Sequence, residues 1–302
     1  MARSHLPLAA LLLALAAPPA ALSQELEPRA YSPSPVGSTF LVGAYNHSSG
    51  ELLFDTSVPV TDARAKIETG ILGVSHVFDL GGRQASIAAV APYAWGDVSG
   101  NVGEDRRSVS RSGWGDTRLK LSTILIGGPA LSTQAFAARK PGPIVGASVV
   151  AVLPTGEYNP TRLINIGANR WALKPEIGVS YPMGRWQADA YAGVWLFGDN
   201  DNFFGGRRKT QDPMGSFQAH LSYTVRPRLW AAVDATYYTG GATRLDGVGG
   251  SDRQNNVRVG ATLSLPVARR QSIQINYSHG AVTRIGGKFS TVAIAWQSAW
   301  VP

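Results

Sequence analysis

His220-Leu221-Ser222 places an imidazole and a hydroxyl two residues apart, the spacing that a lipid hydrolase built into a membrane barrel would use. Nucleophilic catalysis also needs a third group to orient the imidazole, and the sequence around the pair identifies none. On a strand, residues two apart share a face. The pair therefore points the same way as Gln218 and Thr224, into a polar interior, whereas a lipid hydrolase needs its nucleophile toward the bilayer. Asp199, Asn200, Asp201 and Asn202 offer oxygen ligands suited to Ca²⁺, but the run lacks the glycine and the closing glutamate of a calcium loop, so a solvated surface loop is the better reading. His47, His76 and His279 fall in separate segments without metal-ligand spacing. Gly286-Gly287-Lys288-Phe289-Ser290 lacks the leading glycine and the hydroxyl after lysine that a phosphate loop requires. No cofactor is expected. Asn169-Arg170-Trp171 reads as either a charged constriction or, preferably, a clamp holding the preceding loop through directional arginine bonds. The glycines of that loop, Gly156 and Gly167, read as turn formers.

The elements that position these groups are strands. Trp171, Leu173, Pro175, Ile177, Val179 and Tyr181 alternate with Arg170, Ala172, Lys174, Glu176, Gly178 and Ser180. In a helix this order would spread charge around the whole circumference; in a strand it sorts an apolar face from a polar one. The same sorting recurs at 217–225, 256–265 and 118–125, and none of these apolar faces carries a charge. That absence is physical, because Lys or Arg at a bilayer midplane costs ~2–4 kcal/mol. Candidate strands fall near 37–47, 65–78, 84–96, 115–127, 143–153, 170–181, 186–197, 214–225, 229–238, 255–265, 271–280 and 289–300. The connections 48–64, 97–114, 154–169, 198–213, 239–254 and 281–288 are long, while 79–83, 182–185, 226–228 and 266–270 are tight. Segment 128–142 breaks this alternation and reads as a brief helix. Tyr93, Trp95, Trp171, Tyr181, Trp186, Trp195, Tyr223, Trp230, Tyr237, Trp296 and Trp300 sit at or near strand ends, as interfacial aromatic belts do.

Residues 1–23 carry Arg3, an apolar run and the small-residue close Ala21-Leu22-Ser23, the pattern of a cleaved secretory signal peptide. Export without cysteine excludes a disulfide-stapled domain. Thirty-four Gly, 8 Trp and 10 Tyr occur with only 16% charged residues, and mean hydropathy is near zero, the average expected when lipid-facing and lumen-facing residues alternate. The net charge of +8 is scattered, with no basic helix or aromatic-basic motif, so nucleic acid is not an expected partner. A secreted β-sandwich would alternate too, but it does not require uncharged faces or loops of alternating length.

Several motifs carry a family resemblance. They are Glu25 to Gly37, Ser110 to Asp116, Pro154 to Tyr158, Leu163 to Trp171 with Lys174-Pro175-Glu176, Phe197 to Gly206, and Thr283 to Gly287. Together they resemble the MetA-pathway of phenol degradation family across essentially the whole mature chain. The resemblance implies an outer-membrane transporter of aromatic or other hydrophobic small molecules.

The expectation is an all-β, transmembrane, antiparallel up-and-down β-barrel of about 12 strands in the outer membrane, following the signal peptide. Residues 24–36 form a periplasmic N-terminal segment or plug, and residues 37–302 form the barrel. Arg118, Lys120, Arg170, Lys174, Glu176, Asp189, His220, Asp234 and Arg258 are the candidate lumen-lining residues of a narrow passive channel. Expected partners are outer-membrane lipid, the barrel assembly machinery and a small solute. A lipid-modifying enzyme and a structural or adhesion barrel are the alternatives.

Overall fold

The computed structural model describes residues 26–54 and 60–302. The expected signal peptide lies outside the described residues. In chain order the strands are β1 (Thr39–Leu53), β2 (Val60–Leu80), β3 (Arg83–Val102), β4 (Asp105–Trp114), β5 (Arg118–Ile126), β6 (Ile144–Val152), β7 (Ala172–Met183), β8 (Trp186–Phe197) and β9 (Asn200–Phe203). They continue as β10 (Arg207–Gln211), β11 (Met214–Arg226), β12 (Leu229–Gly240), β13 (Thr243–Leu245), β14 (Val248–Gly249), β15 (Gln254–Ala268), β16 (Gln271–Val282) and β17 (Gly286–Trp300). A single short helix among the described residues, α1 (Thr133–Ala137), interrupts segment 128–142, capped by the Ser132 side chain.

Each barrel strand pairs antiparallel with its neighbours in the order β2-β1-β17-β16-β15-β12-β11-β8-β7-β6-β5-β3. The pairing of β2 with β3 then closes a twelve-stranded ring. The seam between the chain's first and last strands is complete, from Thr39 opposite Trp300 to Leu53 opposite Gly286. Closure leaves no backbone edge to the bilayer, the condition for a sheet to exist in hydrocarbon.

Tight turns join the strands at one end. Gly81-Gly82 connects β2 to β3 with φ of 59° and 81°, the left-handed pair that a two-residue hairpin matched to strand twist demands. In outer-membrane barrels this is the periplasmic end, and the long loops face outward.

Burial inverts the usual soluble pattern. Along β7, Lys174, Glu176 and Ser180 are buried, while Leu173, Ile177, Val179 and Tyr181 are exposed. Val233 on β12 stands 62% exposed beside the buried Asp234. Large apolar side chains cover the outer wall and polar ones fill the inside, which is stable only where lipid is the solvent.

Several expectations need correction. Segment 97–114 is not a loop, because the upper half of β3 pairs with β4 from Tyr93 opposite Trp114 to Val102 opposite Asp105. Only Ala85 to Val90 of β3 pair with β5, so β2, β3 and β4 rise as a ribbon above the barrel rim. Loops 198–213 and 239–254 contribute the small sheet β14-β13-β10-β9, and 281–288 shrinks to a tight connection at 283–285. Two aromatics leave the belts: Trp195 is fully buried inside the wall, and Trp230 turns inward under the Arg29 guanidinium, 4.6 Å from its ring. Parity decides this, since residue 195 shares a face with Tyr191, and residue 230 with Asp234. The others stand at two levels, Trp171, Tyr93 and Trp95 near the loops and Tyr181, Trp186, Tyr223 and Trp300 near the turns.

Candidate functional site: the barrel interior and its outer vestibule

The inward parity of β5, β7, β8, β11, β12 and β15 brings the sequence-predicted charges into one interior. Lys174 Nζ donates to Glu176 Oε2 at 2.9 Å, with both side chains almost wholly buried. Strand register sets His220 opposite Asp189 on β8 and Asp234 on β12. Its Nδ1 donates to Asp234 Oδ1 at 2.7 Å, and Thr262 donates to the other oxygen of Asp234 at 2.8 Å. Asp189 instead accepts from Gln187 at 2.9 Å. Arg258 donates to Ser278 Oγ (2.8 Å) and to the Phe289 carbonyl (3.2 Å). Lys120 reaches Glu27 at 2.5 Å, and Arg118, at the start of β5, lies within electrostatic reach of Glu27 and Asp116. Arg170 stands apart from these, above Lys174 at the mouth of β7.

Residues 26–36 run through this interior. Glu27 pairs with Lys120, Arg29 donates to Ser222 (2.9 Å) and Thr224 (2.7 Å), and Tyr191 Oη accepts from the Ala30 amide at 3.1 Å. Tyr31 Oη donates to Glu176 Oε1 and lies 3.1 Å from Ser148 Oγ. Its ring fits a slot between Gly146 of β6 and Gly178 of β7, which are register partners; a methyl group on either would overlap the ring. A glycine within a strand often marks such a close backbone approach. The segment leaves toward the tight-turn end, where the Val36 amide donates to the Leu131 carbonyl. The Lys120 ammonium, against the opposing effect of burial, holds the Glu27 carboxyl down to about 2.

Ser222 is engaged by Arg29 and, at 3.5 Å, by the Gln187 carbonyl. The sequence missed Asp234 as the group that orients His220, because the two residues meet only through cross-strand register. Even so, no hydrogen bond joins Ser222 to His220 among the described residues, and both face the interior. The arrangement lacks the nucleophile–base contact that a hydrolase requires.

Above the polar interior, the β2–β3–β4 ribbon and loop 154–169 enclose a cavity of about 340 Å³. Its walls include Ala63, Ala65 and Ile67 of β2, Val98 of β3, Val109 of β4, and Leu163 and Ile164 of the loop. Asp116 ties that loop down, accepting from the amides of Gly156 (2.9 Å) and Ala168 (2.8 Å). Gly156 and Gly167 lie at bends of the loop and also approach one another closely: a Cβ on Gly156 would lie 2.8 Å from the Gly167 Cα. Asn200 is buried and donates to Tyr158 Oη (3.0 Å) and the Ala168 carbonyl (3.1 Å), so the acidic run fastens the loop; Asp199 and Asp201 pair with Arg208.

Arg170 does not clamp loop 154–169 as expected. It donates to Gln211 and lies 4.8 Å over the Phe197 ring, while its buried Nη1 has no hydrogen-bond partner. Sequence reasoning overlooked Lys209, which is buried beside it with Nζ 5.1 Å from the Phe203 ring. Burial, and next the Arg170 charge, lower the Lys209 ammonium to about 7.

A closed twelve-stranded wall, an apolar outer surface and a polar interior beneath an apolar vestibule define a β-barrel of the outer-membrane type. The chain belongs to the MetA-pathway of phenol degradation family, whose profile matches residues 38–289. No curated protein matches it by sequence. Among solved structures it is similar to the COG4313 outer membrane channel from Pseudomonas putida F1, with 24% identity and TM-score 0.76 over 91% of this chain and 100% of that one. It is also similar to the β domain of the Bordetella autotransporter BrkA (10%, TM-score 0.51, 87% and 100%) and to the NanC porin (10%, TM-score 0.50, 86% and 100%). At these identities the likeness is one of fold.

Proposed function

We propose that the protein is a passive outer-membrane channel for small hydrophobic solutes, aromatic ones included, and that residues 24–36 are its lumenal plug. The observation that carries this reading is the apolar vestibule seated on a closed barrel whose interior is lined by charged and hydroxyl side chains. An apolar solute leaves water in the vestibule at a gain of ~25 cal/mol per Å² of apolar surface covered. A polar lumen occupied by residues 26–36 is a poor path for free diffusion of large hydrophilic solutes. Arg118, Lys120, Arg170, Lys174, Glu176, Asp189, His220, Asp234 and Arg258 line the conduit in this proposal, and the pairs Lys174–Glu176 and His220–Asp234, with Lys120 bound to Glu27, keep it narrow. The family and the MetA-pathway description favour aromatic solutes.

Uptake of a radiolabelled aromatic solute by cells with and without the protein tests the channel, and planar-bilayer conductance with and without residues 24–36 tests the plug. Uptake is expected to rise with the protein, and conductance to rise several-fold on deletion. A barrel that gives no uptake and stays sealed after the deletion overturns the reading.

A further inference from the structure

The positive charge of the chain is concentrated at the tight-turn end of the barrel. The connections 79–83, 127–143, 182–185, 226–228 and 266–270 carry Arg or Lys at eight positions and a carboxylate side chain only at Asp79, among the described residues. Asp79 is committed to its own turn, where it accepts from the Gly82 amide at 2.7 Å. At the loop end, by contrast, arginines meet carboxylates, Arg208 with Asp199 and Asp201, and Arg244 with Asp212.

The cations gather on one arc of that rim. The turns β7–β8, β11–β12 and β15–β16 follow one another around the ring, because β8 pairs with β11 and β12 with β15. They bring Arg185, Arg226, Arg228, Arg269 and Arg270 to one side, all exposed. Hydrogen bonds tie the turns together. The Thr224 amide donates to the Arg185 carbonyl at 2.8 Å, and the Arg228 guanidinium donates to the Ala268 carbonyl at 3.1 Å and to that of Gln271. The depth of the arc points to its anion. Arg185 adjoins Trp186, whose ring packs on Tyr223 with centroids 4.8 Å apart, and Arg226 is three residues beyond Tyr223. Val225 and Val267 stand exposed on the outer wall beside the arginines. At about 3.3 Å per residue the arc lies within about 10 Å of the aromatic belt, at the level of a headgroup layer roughly 5–8 Å thick.

We propose that this arc binds anionic glycerophospholipids of the periplasmic leaflet, phosphatidylglycerol being the simplest. Its guanidinium groups hold the phosphodiester, and the acyl chains lie against Val225, Val267 and the Trp186–Tyr223 pair. Arginine suits the task, since its planar fork matches phosphate oxygens and its apolar stem lies along the wall while the head stays wet. Clustered basic residues at a membrane surface attract anionic lipid. Phosphatidylethanolamine has the same phosphodiester but adds an ammonium of the same sign as the arc. The proposal concerns how the barrel is seated in the membrane and does not depend on what the channel conducts.

The test places full-length mature protein in nanodiscs of equimolar phosphatidylglycerol and phosphatidylethanolamine with matched acyl chains, and native mass spectrometry counts the lipids retained on the released barrel. Phosphatidylglycerol is expected to be retained at least fivefold over phosphatidylethanolamine. Combined Arg185→Gln, Arg226→Gln, Arg269→Gln and Arg270→Gln should bring the ratio close to one. An equal charge removal at the loop end, Arg106→Gln, Arg208→Gln, Arg244→Gln and Arg253→Gln, should leave it unchanged. Folding of both variants is checked by the heat-dependent gel shift of intact barrels, and the wild-type ratio stands without either. Equal retention of the two lipids overturns the proposal and leaves the arc to an acidic protein partner. A preference that survives removal of the arc, or that falls equally with the loop-end change, also overturns it. Glycerol 3-phosphate, which has the phosphate without acyl chains, should not displace the lipid; displacement would assign the arc to free phosphate and overturn the lipid assignment.

Discussion

Lys209 shows what burial does to a single charge. Desolvation is the dominant cause that lowers its ammonium to about 7, the Arg170 charge adds to this and Asp252 opposes it. Glu27 works in the opposite sense. Its carboxyl is lowered from 4.5 to about 2, chiefly by Lys120, so the contribution of that pair to docking is complete above about 4.5 and is lost as pH falls toward 2. Conductance should then be level from pH 5 to 8 and increase below pH 4; Glu27→Gln should raise it at neutral pH. Tyr31 depends on the missing side chains of Gly146 and Gly178. Gly178→Val should expel the ring and increase protease access to residues 24–36 from the periplasmic side, while the barrel keeps its gel shift.

At the scale of elements, the vestibule exists because loop 154–169 is fastened at both ends. Asp116 accepts two of its amides, and Asn200 holds its return. Each bond contributes ~0.5–1.5 kcal/mol, so Asp116→Ala should loosen the loop far more than it destabilises the barrel. Trypsin cleavage after Arg162 in the folded protein should accelerate at least tenfold, with the heat-induced unfolding temperature of the barrel changed little. Unaltered cleavage would mean that packing of Leu163 against Phe203, and not Asp116, holds the loop. The ribbon β2–β3–β4 is the other wall. Its alternation continues past the membrane-spanning stretch with charged residues outward, as at Asp62, Arg64 and Lys66, and with small Ala63 and Ala65 inward. The sequence reading begins this strand at residue 65 and leaves 60–64 in the preceding connection, although the alternation runs back through Arg64 and Ala63.

For the whole molecule, the decisive device is closure. Twelve antiparallel pairings satisfy the backbone, and the seam of β1 with β17 ties the first strand to the last. A charge placed on the outward face in the middle of that seam should harm assembly, whereas the same change outside the membrane-spanning wall should not. Ile294→Arg, on an outward face near mid-strand, should cost ~2–4 kcal/mol and be read as loss of the folded band in the gel-shift assay. The same substitution at solvent-exposed Val248, in the extramembrane sheet, should leave that band unchanged.

Period-two sorting fixed the strands, their inner and outer faces and the location of the wall, because one face meets hydrocarbon and the other meets polar groups, and each excludes the other's residues. Lys174, Glu176, His220, Asp234 and Arg258 could be assigned to the inside by parity alone. What parity cannot carry is which inward residues meet. The bond from His220 to Asp234, the slot that Gly146 and Gly178 make for Tyr31, and the convergence of Arg170 with Lys209 all join residues far apart in the chain or on different strands. Those contacts depend on cross-strand register, on the return of residues 26–36 into the interior and on the folding of outer loops over the rim. They are properties of the closed barrel, in which a one-residue change of register would move every partner to the opposite face.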